Sequence, residues 1–437
     1  MNDLNSFLST ATGTLGGRVA TLVRDHAALW RDAPTEAGPL KKQYSRREKR
    51  AAERELSALI GGLTSEPVRT SFLDGTLDAA RLEELAAGLR PGFKRLLRLI
   101  DLPLEAVYDA RFVEATRRFI QAARDFDPEL SLPSAYQALR NVWIMNSLQF
   151  DLGLAIEHTD AVFAYSMIYP YLDNLLDDAG TTETGKLAFV VRLRSWLEGS
   201  AASPASPGEE KLLSLVRLIE RRFPRPAHPG VYESLLAIYN AQVRSLLQQR
   251  RGAAPTAADI LSISLEKGGT SVLADGYLVA GTLRAEDETF CFGFGTVLQL
   301  ADDLQDVAED SRSGHRTLFS TGGGGPLDAT AIRLEGYLAA FLAGARRGSA
   351  PGRAALGDAI GAGLTLMFRE SAGKQPDDFR RAFVRRARRG FPVRFSYLRK
   401  LRRRLKEQLP AGRERLADLD PGLVALMALS SRAFSLD

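Results

Sequence analysis

Between residues 78 and 406, apolar positions recur with helical rather than strand spacing, and this near-continuous periodicity most narrows the folds open to the chain. Helices are expected around residues 78–101, 105–126, 134–157, 159–178, 185–197, 209–222, 231–250, 256–282, 288–309, 328–345, 353–369 and 376–406. No run of alternating β-branched residues and no Asn-Gly hairpin turn interrupts them. Gly and Pro cluster between the helices, as in GSAASPASPGE at 199–209, FPRPAHPG at 223–230, RRGAAPT at 250–256, the stretch 311–326 and RRGSAPG at 346–352. No repeat of solenoid length is present. The expectation is an all-α fold, an antiparallel helical bundle around a central apolar cavity. Residues 1–60 read as an N-terminal helical extension and 61–437 as the bundle domain, closed by a basic helix near 376–406.

A chain of 437 residues can bury one large core or two to three ordinary ones. At 45% hydrophobic and 25% charged residues it is too apolar for a disordered chain and too charged for a polytopic membrane protein. No stretch approaches the roughly 20 apolar residues of a membrane span. The opening MNDLNSFLSTATGTLGG lacks the basic start and apolar run of a secretory signal, so a cytoplasmic location is the expectation. The single Cys291 excludes an intrachain disulfide and any multi-thiolate zinc site.

The net charge of +5 is unevenly spread. Residues 380–406 carry 13 Lys or Arg and no Asp or Glu, which leaves +5 − 13 = −8 for the rest. Such a segment can be a solvated helix face, a contact with an anionic membrane or a nucleic-acid contact. Nucleic acid ranks last of the three, and peripheral membrane association is the partner expected of this segment.

Two acidic clusters carry the chemistry. In YPYLDNLLDDAG (169–180), Asp173 and Asp177 share one helix face and Asp178 adjoins it, at the C-terminal end of the apolar run 161–172. The helix dipole disfavours carboxylates there, so either the end is simply solvated or a cation compensates them. In GFGTVLQLADDLQDVAED (293–310), Asp302, Asp306 and Asp310 fall at i, i+4 and i+8, flanked by Asp303 and Glu309. Like charges at this spacing oppose the helix by a few tenths of a kcal/mol per pair. No Lys or Arg interrupts residues 285–311. A hard cation such as Mg²⁺ explains the stripe better than a solvated face does, because it takes oxygen ligands and shares them with substrate phosphates. Two apolar helices that both end in carboxylates could clamp a diphosphate through bridging metal while a cavity holds its hydrocarbon.

These residues resemble the aspartate-rich motifs of the class I isoprenoid synthase superfamily: trans-prenyltransferases, squalene and phytoene synthases, and class I terpene synthases. GTVLQLADDLQDVAED is similar to the Phe-Gln-x-x-Asp-Asp-x-x-Asp motif of trans-prenyltransferases, with Leu298 in place of Phe, and to the second metal motif of the head-to-head synthases and terpene cyclases. DNLLDD resembles the Asp-x-x-x-Asp motif of the head-to-head enzymes, and LEKGGTSVLADGYLVAG (265–281) the Lys-Thr helix of prenyltransferases. The likeness covers about residues 130–320. It implies the isoprenoid synthase fold, often as a homodimer, and a prenyl diphosphate substrate with about three Mg²⁺ ions gathered around bound diphosphate. Metal ligation is implied for Asp173, Asp177, Asp178, Asp302, Asp303, Asp306 and Asp310, with Asp173, Asp177, Asp302 and Asp306 as the catalytic set. Lys267, Thr270 as its helix-breaking neighbour, Gln299, Arg312 and Arg316 are implied for the substrate.

Elongating prenyltransferases hold isopentenyl diphosphate with a Gly-Lys-x-x-Arg segment and an Arg-Arg pair after the first motif. Neither is present, since Asp178 is followed by AGTTETGK. The expected activity is therefore that of a terpene synthase, a diphosphate-releasing cyclase. The alternatives are prenyl transfer (head-to-head or polyprenyl-synthetase-like) and, in another class, a non-catalytic prenyl-diphosphate-binding or regulatory homologue. Gly268 and Gly269 either open a helix toward a phosphate or kink it. Arg312, His315 and Arg316, followed by the glycine run 322–325, read as a lid or as a plain loop. The aromatics Trp143, Phe150, Tyr165, Tyr169, Tyr171, Tyr277, Phe292 and Phe294 read mostly as core, with a few facing a cation. Arg394 and Tyr397 on the basic segment are candidates to reach the diphosphate.

Overall fold

A computed structural model describes residues 14–63, 65, 79–177, 182–249, 255–321 and 325–408. Among them the chain is all-α, with sixteen α-helices, two short 3₁₀ helices and no strand. The helices are α1 (Thr14–Asp32), α2 (Arg46–Leu63), α3 (Ala79–Leu99), α4 (Ala110–Phe126), α5 (Leu132–Asp151), α6 (Asp160–Asp177), α7 (Glu183–Leu197) and α8 (Pro207–Arg222). Then follow α9 (Pro229–Ser245), α10 (Ala257–Ala280), α11 (Ala285–Gln305), α12 (Val307–Ser313), α13 (Asp328–Ala345), α14 (Arg353–Lys374), α15 (Arg381–Gly390) and α16 (Phe395–Gln408). None of the described helices is long and apolar enough to cross a membrane.

Local chemistry sets many of these boundaries. Asp109 caps α4 by accepting from the amides of Arg111 (2.9 Å) and Phe112 (3.2 Å). Thr256 and Asp259 form a reciprocal capping box on α10, which Gly281 ends at φ +76°. In α8, Ser206 caps, Pro207 opens the first turn with Glu209 and Glu210 behind it, and Arg221 and Arg222 close the last turn.

Two of the expected helices are broken in the structure. The stretch expected as one basic helix over 376–406 is a 3₁₀ turn at Pro376–Asp378 followed by α15 and α16. Pro392 cannot donate to a helical carbonyl and disfavours helical backbone at Phe391, which is extended at φ −101°, ψ 136°. The stretch 288–309 begins earlier, at Ala285, and breaks at Asp306 (φ −101°, ψ 14°) before α12.

The chain divides into two compact units. The first comprises residues 1–35, 137–324 and 329–353, and the second residues 36–136, 325–328 and 354–437. The division runs through α5, between Tyr136 and Gln137.

In the first unit α10 is the central helix, packed by α1, α6, α9 and α11. It is apolar nearly all round and buried along most of its length, as a surrounded helix must be. Its closest neighbour is α11. A methyl group added at Gly268 would lie 2.5 Å from the carbonyl oxygen of Gly295, and one added at Gly295 would overlap the carbonyl of Gly268. Glycine on both sides lets the two backbones touch. From α1, Leu15, Val19, Leu22, His26 and Trp30 are buried in this unit. His26 Nδ1 lies 2.7 Å from the Tyr337 hydroxyl on α13. Arg353 is buried between Asp151 (Nη2 to Oδ2, 2.7 Å) and Asp287 (Nη2 to Oδ1, 2.9 Å), with its guanidinium 3.9 Å over the Phe290 ring, and so ties α5 to α11.

In the second unit α2 packs on α3, and the loop before α2 donates the Tyr44 amide to the Arg389 carbonyl (2.9 Å) at the end of α15. Gly373 of α14 abuts the Phe395 ring of α16 at 2.6 Å, measured to an added methyl.

Candidate functional site

The end of α11, the break at Asp306, α12 and the loop after it lie in the first unit, as does Lys267 on α10. Asp303 is 5% exposed. Its carboxyl accepts from Gln299 Nε2 (2.8 Å), one turn back on α11, and from Ser264 Oγ (3.1 Å), on α10. Burial pushes this carboxyl up to about 7, against the pull of the Gln299 bond and of the Lys267 ammonium, while the Asp310 charge pushes the same way as burial. Asp310 is raised to about 6, first by burial and then by the carboxylate of Asp306, with Lys267 and the Thr317 hydroxyl opposing. His315 is lowered by burial and then by Lys267. One ammonium therefore acts on Asp303, Asp310 and His315 together.

Asp302, on a different face of α11, is half-exposed and pairs with Arg140 Nη2 of α5 at 3.3 Å. The three aspartates expected in one stripe over two helical turns thus divide among a helix end, a helix break and a separate short helix. The amides of Asp306 and Asp310 still bond back to Asp302 (2.9 Å) and Asp306 (2.8 Å), so the three remain neighbours along the chain's path.

The loop after α12 is pinned rather than open. The Arg316 amide donates to the Gln248 carbonyl (3.1 Å), and Gln248 Nε2 donates to the Arg316 carbonyl (3.0 Å). Ser320 Oγ donates to the His315 carbonyl (2.7 Å). Arg316 Nη1 is nevertheless buried with no hydrogen-bond partner, a costly state for a charged donor. Arg312 is exposed and bonds back to the Ala308 carbonyl at 3.2 Å. Of the glycine run, residues 322–324 lie outside the described residues.

On α10 the helix-breaking role expected of Thr270 and the opening expected of Gly268 and Gly269 are not what the structure has. The helix runs unbroken through them. The Thr270 hydroxyl donates to the Glu266 carbonyl (2.7 Å) of its own helix, and the two glycines admit the α11 backbone and the Phe292 ring.

The first acidic cluster is described in part. Positions 173 and 177 lie on the last two turns of α6, and Asp178 falls outside the described residues. Tyr169 of α6 lies 2.9 Å from Ser271 Oγ of α10, and one turn earlier Tyr165 feels the charge of Asp275. The two helices therefore run antiparallel. One further turn of the same register brings position 173 to the level of Lys267.

Sequence reasoning missed the partners of these groups, Arg140, Ser264, Gln248 and Thr317, and a second buried carboxyl. Asp275 is fully buried, accepts from Asn141 Nδ2 (3.1 Å) at one oxygen and has no partner at the other. Burial holds it well above the ordinary carboxylate range. The signal was visible in SVLADGYLVAG, where a lone acid interrupts an apolar helix. Most of the aromatics expected near a cavity are core. Phe292 packs on His26, Phe294 near Phe290, and Tyr277 donates to Glu288. In the second unit, Arg394 and Tyr397, expected to reach the diphosphate, are engaged elsewhere. Arg394 grips Glu53 through Nε (2.9 Å), Nη2 (2.6 Å) and its own amide (2.8 Å), and the Tyr397 hydroxyl lies 2.7 Å from Ser57 Oγ.

No group of three or more His, Cys, Asp or Glu is arranged to hold a metal ion among the described residues. Mg²⁺ needs only one or two protein carboxylates when phosphate oxygens and water complete its shell. Asp306 and Asp310 fit that role, because the charge of one raises the proton affinity of the other and a cation would relieve it. No protein-family model and no curated protein matches the chain.

Proposed function

We propose that the chain is a Mg²⁺-dependent enzyme of the class I isoprenoid type that ionises a prenyl diphosphate, with terpene cyclisation ranked ahead of prenyl transfer. The observation that carries this reading is the setting of Lys267. Its ammonium acts at once on two carboxyls of raised proton affinity, Asp303 and Asp310, and the adjoining loop holds a buried Arg316 N–H with no acceptor. Acids and cations that alternate around an incomplete set of partners suit a ligand that is itself an anion carried by a cation.

In this reading Asp302, Asp306 and Asp310 hold Mg²⁺ from the α11–α12 side, and Asp173 and Asp177 hold it from α6. Bound Mg²⁺ supplies the Lewis acidity that stabilises a departing diphosphate. Lys267 and the free N–H of Arg316 bind diphosphate oxygens as charge builds on them. Gln299 and Ser264 keep Asp303 oriented.

The test is diphosphate release from geranyl, farnesyl and geranylgeranyl diphosphates with Mg²⁺, with and without isopentenyl diphosphate, followed by mass spectrometry of the extracts. Release without isopentenyl diphosphate is expected, with product mass separating cyclised from coupled hydrocarbon. Asp306→Asn is expected to lower release by roughly a hundredfold or more with helicity unchanged. Undiminished release in that variant would overturn the assignment, and no release from any substrate would favour a binding-only homologue.

A further inference from the structure

We infer that the second unit carries a docking surface for anionic lipid bilayers, built from α2 together with α15 and α16. The basic C-terminal stretch alone does not define it, since the fold removes some cations from that stretch and adds others from far upstream. Arg394 is spent on Glu53, and Arg402 on Glu370. In exchange, α2 turns Lys49, Glu53 and Ser57, one face at i, i+4 and i+8, onto α15 and α16: Lys49 Nζ bonds the Arg388 carbonyl, Glu53 takes Arg394, and Ser57 meets Tyr397. The neighbouring stripe of α2, Arg46, Arg50 and Arg54, is exposed beside that seam.

Across the seam the exposed cations continue. They are Arg381, Arg385, Arg388 and Arg389 on α15, and Arg399, Lys400 and Arg404 on α16. Two acids of α2 are neutralised by arginines, Glu55 by Arg95 (3.1 Å) and Glu53 by Arg394, whereas Glu48 accepts from the neutral Ser45 amide (2.7 Å) and keeps its charge among the exposed arginines. The exposed charges of the three packed helices are thus predominantly positive, the footprint of an anionic partner.

The apolar side chains of the same helices point inward. Phe383, Val384, Phe395 and Leu398 are buried. No large exposed hydrophobic residue lies on the described parts of α2, α15 or α16. Contact with the partner is therefore electrostatic and superficial, without inserted side chains. The absence of exposed aromatics also withholds the stacking platforms that single-stranded nucleic acid uses. The preference for a bilayer over a duplex rests on the proposed function, because a prenyl substrate partitions into membranes.

The test is co-sedimentation of the full chain with phosphatidylcholine vesicles with and without phosphatidylserine, in low and high salt. Binding is expected only to the anionic vesicles, roughly tenfold or more tighter than to neutral ones, and lost in high salt. The decisive variant lies outside the C-terminal stretch. Arg46→Glu with Arg50→Glu is expected to weaken vesicle binding by about tenfold, as is Arg385→Glu with Arg388→Glu. All four positions are exposed, so thermal unfolding should be unchanged. Equal binding to neutral vesicles, undiminished binding in the α2 variant, or duplex DNA displacing the vesicles would overturn the inference. Diphosphate release is read in a separate vesicle-free reaction. Turnover without lipid binding therefore overturns the docking surface alone, and lipid binding without turnover supports the surface while overturning the enzymatic reading.

Discussion

Asp302 and Asp303 are adjacent in sequence and opposite in circumstance. The first is half-exposed against Arg140. The second is buried under Gln299 and Ser264 with its carboxyl raised to about 7. A single helical step of about 100° makes the difference, and nothing in the tetrapeptide LADD says which acid faces inward. Asp275 poses the same problem more sharply, since its unpartnered oxygen makes ionisation inside the fold expensive. Its folded proton affinity lies well above that of a free carboxyl near pH 4. Between those two values the folded chain holds a proton that the unfolded chain has lost. Its contribution to stability is therefore full below about pH 4 and falls as pH rises through the folded value. Asp275→Asn, neutral throughout, should match the parent in acid and become progressively more stable than it towards pH 8. Urea unfolding across that range measures the difference, and parallel pH profiles for the two proteins would show that the carboxyl ionises freely in the fold.

At the scale of elements, composition located most helices within a few residues, because helical periodicity and caps are local properties. The failures came where an element's continuity depends on one residue or on its neighbours. Pro392 divides the basic stretch into α15 and α16, and a change of backbone at Asp306 separates α12 from α11. The glycines of α10, expected to open the helix toward a phosphate or to kink it, are instead the contact through which α11 approaches. That contact is testable. Gly295→Ala drives a methyl into the carbonyl of Gly268 and should cost about 3 kcal/mol or more, because backbone on both sides cannot yield. Gly88→Ala, on an exposed face of α3 with nothing within 4 Å, should instead gain about 0.5–1 kcal/mol from helix propensity. Denaturant midpoints of the two variants should move in opposite directions, and a neutral Gly295→Ala would show that the helices stand further apart.

For the molecule as a whole, the two units are each assembled from separated pieces of chain. The first unit includes α1, whose Leu15, Val19, Leu22, His26 and Trp30 are buried. At about 2 kcal/mol per buried side chain, removing them forfeits roughly 10 kcal/mol, the whole stability of an ordinary domain. A chain lacking residues 1–35 should lose near-ultraviolet dichroism and cooperative melting. A cooperative melt retained in that truncation would make α1 an accessory. The amino-acid sequence by itself determined the all-α class, the positions of most helices, the absence of a membrane-spanning helix among the described residues and the spacing of the acidic clusters. All of these depend on residues a few positions apart. Only the tertiary structure decided that Asp303 is buried while Asp302 pairs with Arg140, that Lys267 acts on both Asp303 and Asp310, that Arg394 belongs to Glu53, and that α2 packs against α15 and α16 through Lys49, Glu53 and Ser57. Each of these depends on residues brought together from 36 to 341 positions apart, across helices whose packing follows from side-chain shape and burial rather than from any local pattern.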